Sequence, residues 1–128
     1  METLRVLFVD DSPTMRRIIQ NSLQKIGYTD MIQSENGEDA LEKLENNPID
    51  LIITDWNMPV MNGEQLVINI RREEKYSSIP ILMVTTRGMK EDVLTAVRIG
   101  VNGYVVKPFT PDILKKKISD MMSKFIKV

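Results

Sequence analysis

Short apolar runs alternate with amphipathic stretches along the whole sequence, and few folds are compatible with that alternation. A strand buried on both faces is a continuous apolar run, whereas a helix that covers a sheet is apolar along one face only. Repeated strand–helix pairs therefore predict an α/β protein whose parallel sheet is covered by helices on both sides. The predicted strands are residues 4–9, 31–33, 49–54, 79–84 and 103–106.

Start and stop signals place helices between these strands and after the last one. Ser12 can cap a helix whose first turn holds Pro13, and Thr110 with Pro111 gives the same signal before the last helix. Gly27 is suited to end the first helix in the left-handed conformation. Apolar residues at helical spacing, predicted to form the inward faces, are Met15, Ile18, Ile19, Leu23, Ile26, Ala40, Leu41, Leu44, Leu66, Val67, Ile70, Val93, Ala96, Val97, Leu114, Ile118, Met121 and Phe125.

Length and composition exclude several classes of protein. The 128 residues are enough for one globular domain with a single core, and we expect one domain. The sequence has no cysteine and no histidine, which excludes disulfides, zinc-finger ligands, thiol nucleophiles and histidine-based triads. With 17 basic and 18 acidic side chains, it lacks the positive charge that nonspecific nucleic-acid binding requires. The longest apolar runs have four residues, against about twenty in a membrane-spanning helix. We expect a monomeric cytoplasmic protein without a secretory signal.

Polar side chains come at the ends of four predicted strands: Asp10 and Asp11, Asp55, Thr85, and Lys107. The carboxyl ends of parallel strands share one edge of the sheet, where open α/β sheets bind their ligands. Close carboxylates repel each other by about 4 kcal/mol per pair at an effective dielectric constant of about 20, so three of them require a cation. An all-oxygen site without histidine or cysteine favours Mg²⁺.

This corner of the predicted sheet is suited to phosphoryl transfer. Lys107 would place an ammonium beside Asp55 to bind phosphoryl oxygens, and the Thr85 hydroxyl offers another donor. A carboxylate that faces both a metal ion and an ammonium can accept a phosphoryl group, because the transferred charge stays neutralised. Asp55 is the best candidate for that nucleophile.

These residues lie within four segments that resemble the receiver domains of two-component response regulators, most closely the single-domain chemotaxis regulators. The segments are VDDS at 9–12, DWNMP at 55–59, VTT at 84–86 and GYVVKPF at 103–109. The resemblance covers essentially the whole chain. It implies a flavodoxin-like receiver fold, which is a doubly wound five-stranded parallel sheet with strand order 2-1-3-4-5, and one receiver domain over residues 1–128.

The resemblance also implies a role for each site residue. Asp55 would be the phosphoacceptor. Asp11, Asp55 and the backbone carbonyl of Asn57 would bind Mg²⁺, with Asp10 acting mainly through a bound water. Thr85 and Lys107 would contact the phosphoryl oxygens, and the Lys107–Pro108 bond would be cis. Thr85 and Tyr104 would form the switch that responds to phosphorylation. The chain would catalyse only its own phosphoryl transfer and dephosphorylation.

The implied partners are a histidine kinase as phosphodonor and a flagellar motor switch protein as target. Residues 1–64 carry 5 basic and 12 acidic groups, whereas residues 65–128 carry 12 basic and 6 acidic groups. The output surface would comprise the fourth helix, fifth strand and fifth helix and would receive an acidic amphipathic segment. Its candidate residues are Lys90, Arg98, Tyr104, Lys115 and Lys116.

Two positions depart from the family pattern, and two other functions stay open. Thr86 stands where the family usually has a smaller residue, and its larger side chain is a candidate restriction on the movement of Tyr104. Arg87 stands where an acidic or amide residue is common. An aspartate-nucleophile phosphatase would also use strand-end acids around magnesium, but typically with Asp-x-Asp spacing and a cap domain. A flavodoxin-like ligand-binding module would instead carry a phosphate loop after the first strand.

Overall fold

The computed structural model describes residues 4–124 and contains a five-stranded parallel sheet flanked by helices. The strands lie in the order β2-β1-β3-β4-β5, which confirms the predicted fold class. The elements are β1 (Arg5–Val9), α1 (Pro13–Ile26), β2 (Asp30–Ser34), α2 (Gly37–Asn46), β3 (Leu51–Thr54), α3 (Gly63–Arg72), a 3-10 helix (Glu74–Tyr76), β4 (Ile81–Thr85), α4 (Lys90–Ile99), β5 (Gly103–Val106) and α5 (Pro111–Met122).

Buried side chains on the two faces of the sheet form two separate cores. Alternate residues of β1 illustrate the division, since Phe8 packs on the side of α1 and α5 whereas Leu7 packs on the side of α2, α3 and α4. Ile19 and Leu114 contribute to the first core, and Leu66 contributes to the second. Burial on both faces explains why the strands are uniformly apolar in sequence.

Side-chain caps determine where most of the helices begin. Ser12 and Thr110 each accept a backbone N–H from the first turn of the helix that follows, and Asn36 does the same for α2. Asn62 caps α3 as part of a capping box. At the start of α4 the boundary residue is Met89, which makes no side-chain capping bond. The orientation of α4 therefore depends on other contacts.

The structure corrects several sequence predictions. Val97 was predicted to face the core, but its side chain is 62% exposed, and Ile18 is exposed as well. The reason is that α4 contacts the rest of the molecule through the small buried Ala96 and packs mainly against α3, so the side of α4 that carries Val97 stays in solvent.

The bounds of two strands also differ from the prediction. Strand β4 is shifted from 79–84 to Ile81–Thr85, and β3 begins at Leu51. The predicted core residue Phe125 lies outside the described residues.

No helix within residues 4–124 has the length and hydropathy needed to cross a bilayer.

Candidate active site

The three strand-end aspartates lie together at the carboxyl edge of the sheet. Asp10 and Asp11 follow β1, and Asp55 follows the adjacent strand β3. Each aspartate offers a carboxylate oxygen that lies within 4.8 Å of those of the other two. The backbone holds the two strand ends in register, because the Asp55 N–H donates to the Val9 carbonyl at 3.0 Å. This is the point where the strand order reverses, as expected for a ligand site in an open α/β sheet.

Lys107 bridges two of these carboxylates. Its Nζ atom lies 2.8 Å from Asp10 Oδ2 and 3.1 Å from Asp55 Oδ2. Burial acts to lower the pKa of Lys107, but the hydrogen bond to Asp10 and the charges of Asp55 and Asp10 outweigh it, so the pKa is raised. The Lys107 side chain is therefore a fixed positive charge in the site. The following Lys107–Pro108 peptide bond is cis, as the resemblance implies.

The environments of the three acids differ. Asp10 is 1% exposed, and its oxygens accept hydrogen bonds from the Ser12 backbone N–H and from Lys107. Asp55 accepts the Trp56 backbone N–H on Oδ1 and the Lys107 ammonium on Oδ2. Asp11 is exposed, and its carboxylate has no hydrogen bond or ion pair to any residue between 4 and 124. Asp11 is thus the acid with both oxygens available to a cation.

The donor set fits a hard divalent cation. Three carboxylates and one ammonium leave two uncompensated negative charges, and every side-chain ligand atom is oxygen. Asn57, whose backbone carbonyl is the fourth predicted ligand, lies in the loop directly after Asp55 and Trp56. The acidic cluster can therefore bind a metal ion.

Gly63 at the start of α3 allows the helix to approach the acceptor strand. Its N–H donates to the Trp56 carbonyl at 2.7 Å. A Cβ atom at this position would lie 2.0 Å from the Asp55 carbonyl oxygen, which no side chain can tolerate without displacement. This role of Gly63 cannot be predicted, because nothing in the local sequence reveals how close the two backbone segments come.

The two predicted switch residues meet at Arg87. Thr85 is fully buried at the end of β4, and its hydroxyl accepts the Arg87 backbone N–H at 3.3 Å. Tyr104 is half-buried on β5, and its hydroxyl donates to the Arg87 carbonyl at 2.7 Å. Burial first, then the charge of Asp92, raises the pKa of Tyr104 to about 12. Thr86, the candidate restriction on Tyr104, is exposed.

Comparison with known proteins establishes the family to which this site belongs. The family described as response regulator receiver domain matches residues 6–119. The chain belongs to this family. Among curated proteins, it is 51% identical to the chemotaxis protein CheY homolog of Campylobacter jejuni, with 93% of this chain and 92% of the relative covered. It is 52% identical to chemotaxis protein CheY1 of Helicobacter pylori, with 90% of this chain and 94% of the relative covered.

Solved structures agree with the fold of this receiver domain. The structure of the chemotaxis response regulator CheY4 of Vibrio cholerae superposes with a TM-score of 0.87 at 37% identity, and covers 94% of this chain and 99% of its own. These similarities do not favour the aspartate-nucleophile phosphatase or the flavodoxin-like binding module.

The predicted output surface carries exposed apolar side chains as well as basic ones, which the sequence did not indicate. Exposed apolar side chains of α4, β5 and α5 are Met89, Leu94, Val97, Val106 and Ile113. The start of α4 adjoins β5, since a Cβ on Gly88 would lie 3.4 Å from Val106. The predicted basic residues Lys90, Arg98, Lys115 and Lys116 are all exposed on these helices. We call this combined surface the α4–β5–α5 face.

Proposed function

We propose that this receiver domain is the phosphorylation-controlled response regulator of a chemotaxis pathway and that Asp55 is its phosphoacceptor. The observation that carries the proposal is the position of the Asp55 carboxylate, which lies within 4.8 Å of Asp10 and Asp11 and hydrogen-bonds to Lys107. Of the three acids, Asp55 alone combines partial exposure with a direct ammonium contact.

The reaction is a displacement at phosphorus by a carboxylate oxygen of Asp55. The new O–P bond forms as the bond from phosphorus to the donor breaks, and the donor leaves with the electron pair. Lys107 binds an oxygen of the transferred group, and the buried Thr85 offers its hydroxyl at the end of the adjacent strand. Water reverses the modification by hydrolysis of the acyl phosphate. The chain therefore acts only on itself and is not an enzyme with an external substrate.

Mg²⁺ is the proposed cofactor. Asp11, Asp55 and the backbone carbonyl of Asn57 would hold it, and the buried Asp10 would act through a bound water. When bound, the ion neutralises charge that accumulates on the phosphoryl oxygens during transfer. Asp10 is more deeply buried than Asp55 and both its oxygens accept from protein donors, which supports the indirect role of Asp10.

The proposed partners follow from the same assignment. A histidine kinase would supply the phosphoryl group, and a flagellar motor switch protein would bind the α4–β5–α5 face of the phosphorylated form. Exposed apolar residues on the same elements as the exposed Lys90, Arg98, Lys115 and Lys116 suit an acidic amphipathic segment. The relatives from Campylobacter jejuni and Helicobacter pylori bear chemotaxis names, which supports this pathway. A cytoplasmic location is part of the same proposal.

Intact-protein and peptide mass spectrometry test the acceptor. Incubation with acetyl phosphate and Mg²⁺ should add one phosphoryl group to the wild type, located at Asp55, and Asp55→Asn should abolish it. Asp50→Asn is the matched control, because Asp50 directly precedes the same strand at its opposite end. A phosphoryl group on another residue, or its persistence in Asp55→Asn, would refute the assignment.

A further inference from the structure

Arg87 contacts both the neighbour of the acceptor and the switch tyrosine. Its guanidinium carbon lies 4.5 Å from the centroid of the Trp56 ring. Its backbone carbonyl accepts the Tyr104 hydroxyl, and its backbone N–H donates to Thr85 Oγ1. Its NH1 atom lies 3.9 Å from Asp92 in the first turn of α4. One residue thus joins the ends of β3 and β4, the face of β5 and the start of α4.

Trp56 links Arg87 to the proposed phosphoacceptor Asp55. The Trp56 backbone N–H donates to Asp55 Oδ1 at 2.6 Å, and its carbonyl accepts the Gly63 N–H. The side chain is only 3% exposed. A guanidinium over a buried indole is a favourable cation–π pair, and the planar group of arginine makes it better than lysine can. Arg87 is therefore held against a ring whose own backbone fixes the Asp55 carboxylate.

The contacts of Arg87 help to fix the loop between β4 and α4. No side chain caps α4 at Met89, so the contacts of Arg87 with Trp56 and Asp92 tie this end of the helix to the site. The charges of Asp92, Asp55 and Arg87 also affect the switch residue Tyr104. Asp92 and Asp55 both raise the pKa of Tyr104, whereas Arg87 lowers it, after the larger effect of burial. A change of charge at Asp55 therefore acts on both partners of Arg87. It acts on Tyr104 through the pKa of its hydroxyl and on Trp56 through the backbone N–H that donates to Asp55.

We propose that Arg87 is a positioning residue that couples Asp55 to Tyr104 through its stack on Trp56, as a second link beside the Thr85 hydroxyl. The proposal rests on Asp55 being the phosphoacceptor. Phosphorylation turns one Asp55 oxygen into the bridging oxygen of an acyl phosphate, which weakens it as an acceptor, and brings phosphoryl oxygens that attract a guanidinium more strongly than an indole face does. Arg87 then leaves the Trp56 ring, and the carbonyl that accepts the Tyr104 hydroxyl moves with it.

The unmodified protein provides the first test. Trp56 is the only tryptophan, so its emission and its quenching by acrylamide report the stack directly. Arg87→Ala should raise the quenching constant about twofold by uncovering the ring, and Arg87→Lys should give an intermediate value. Lys75→Ala is the matched control, because Lys75 makes a comparable contact 5.2 Å from the Tyr76 ring, away from the site. An Arg87→Ala protein that keeps the wild-type value while folded by circular dichroism would overturn the proposal.

Phosphorylation provides the second test. With 3-fluorotyrosine incorporated, the ¹⁹F resonance of residue 104, assigned with Tyr104→Phe, should shift when acetyl phosphate and Mg²⁺ are added to wild type and Lys75→Ala. In Arg87→Ala that shift should fall to about half or less, because only the Thr85 link remains. Intact mass measured on the same samples gives the phosphorylated fraction. A full shift in phosphorylated Arg87→Ala would overturn the coupling alone, whereas a wild type that gains no phosphoryl group would overturn the proposed function and this phosphorylation-dependent step with it.

Discussion

Lys107 makes its shorter ion pair with Asp10, at 2.8 Å, and not with the predicted acceptor Asp55, at 3.1 Å. The Lys107 side chain is 9% exposed and that of Asp10 is 1% exposed, so little water screens the pair. An ammonium at this position lowers the mutual repulsion of the carboxylates before any metal ion binds. We infer that Lys107 serves the stability of the metal-free state as well as phosphoryl transfer.

Replacement of Lys107 tests this dual role. Lys107→Met should lower the free energy of unfolding in EDTA by about 3 kcal/mol, because it leaves a buried Asp10 without its counter-charge. Asp10→Asn should cost clearly less, since Lys107 keeps Asp55 and the repulsion between acids falls. Urea denaturation of both variants gives the comparison, with the exposed Lys117→Met as the control. Equal losses for Lys107→Met and Asp10→Asn would contradict this account of the pair.

Replacement of Asp11 should have opposite effects on thermal stability in the absence and in the presence of Mg²⁺. Its carboxylate is exposed, makes no described protein contact and lies close to those of Asp10 and Asp55. In EDTA, Asp11→Asn should therefore raise the melting temperature by removing repulsion. In Mg²⁺ the wild type should gain stability by ligand binding to the folded state, and the variant should gain much less.

Thermal unfolding monitored by circular dichroism, with and without Mg²⁺, measures both effects of Asp11→Asn. Asp50→Asn is a suitable control, because Asp50 lies at the opposite edge of the sheet and accepts the Arg5 backbone N–H. A Mg²⁺-dependent gain in Asp11→Asn as large as that of wild type would exclude Asp11 as a ligand.

The fold and the acidic cluster could be predicted because short-range patterns determine them. Strands buried on both faces must be apolar, and residues directly after parallel strands must share an edge, so Asp10, Asp11 and Asp55 could be placed together. The exposure of Val97 could not be predicted, because it depends on which side of α4 the neighbouring elements cover. The helical pattern of Val93, Ala96 and Val97 is the same whether or not a neighbour covers it.

The contacts of Arg87 were also beyond sequence analysis. Its stack on Trp56 and its bond to Tyr104 join three segments distant in sequence, and no spacing rule connects them. The preference of Lys107 for Asp10 over Asp55 depends on a few tenths of an ångström. Such details follow from packing of the completed fold and not from the order of residues along one strand.

Tyr104 should titrate well above a free tyrosine. Burial and the charge of Asp92 are the main causes that raise its pKa from 10.0 to about 12. The unfolded chain therefore loses this proton first as the pH rises. The resulting contribution to stability is complete below pH 10 and disappears as the pH passes through about 12.

Comparison with Tyr104→Phe isolates this titration from those of Tyr28 and Lys107, whose pKa values are also raised. The difference in tyrosinate absorbance between wild type and variant should have its midpoint near pH 12. The stability advantage of wild type over Tyr104→Phe should shrink over the same alkaline range. A midpoint near pH 10 would mean that the Tyr104 hydroxyl is neither buried nor close to Asp92 in solution.

The α4–β5–α5 face should bind its target through its exposed apolar residues, and its lysines should determine how the binding depends on salt. Val97→Glu places a carboxylate on the exposed side of α4, one turn from the exposed Leu94, where an acidic amphipathic segment would dock. Loss of one buried valine contact and addition of a like charge should weaken binding at least about tenfold. Ile18→Glu is the matched control, because Ile18 is an exposed apolar residue of α1, which lies outside the α4–β5–α5 face and on the other side of the sheet from α4.

Fluorescence anisotropy of a labelled motor-switch peptide, with the receiver phosphorylated by acetyl phosphate, measures this binding. The double variant Lys115→Glu/Lys116→Glu should weaken binding at low salt and flatten its salt dependence, since exposed charges act over about a Debye length of 10 Å at 0.1 M salt. The apolar variant Val97→Glu should instead weaken binding at every salt concentration. If Ile18→Glu weakened binding as much as Val97→Glu, the target would dock on α1, and the assignment of the α4–β5–α5 face would be wrong.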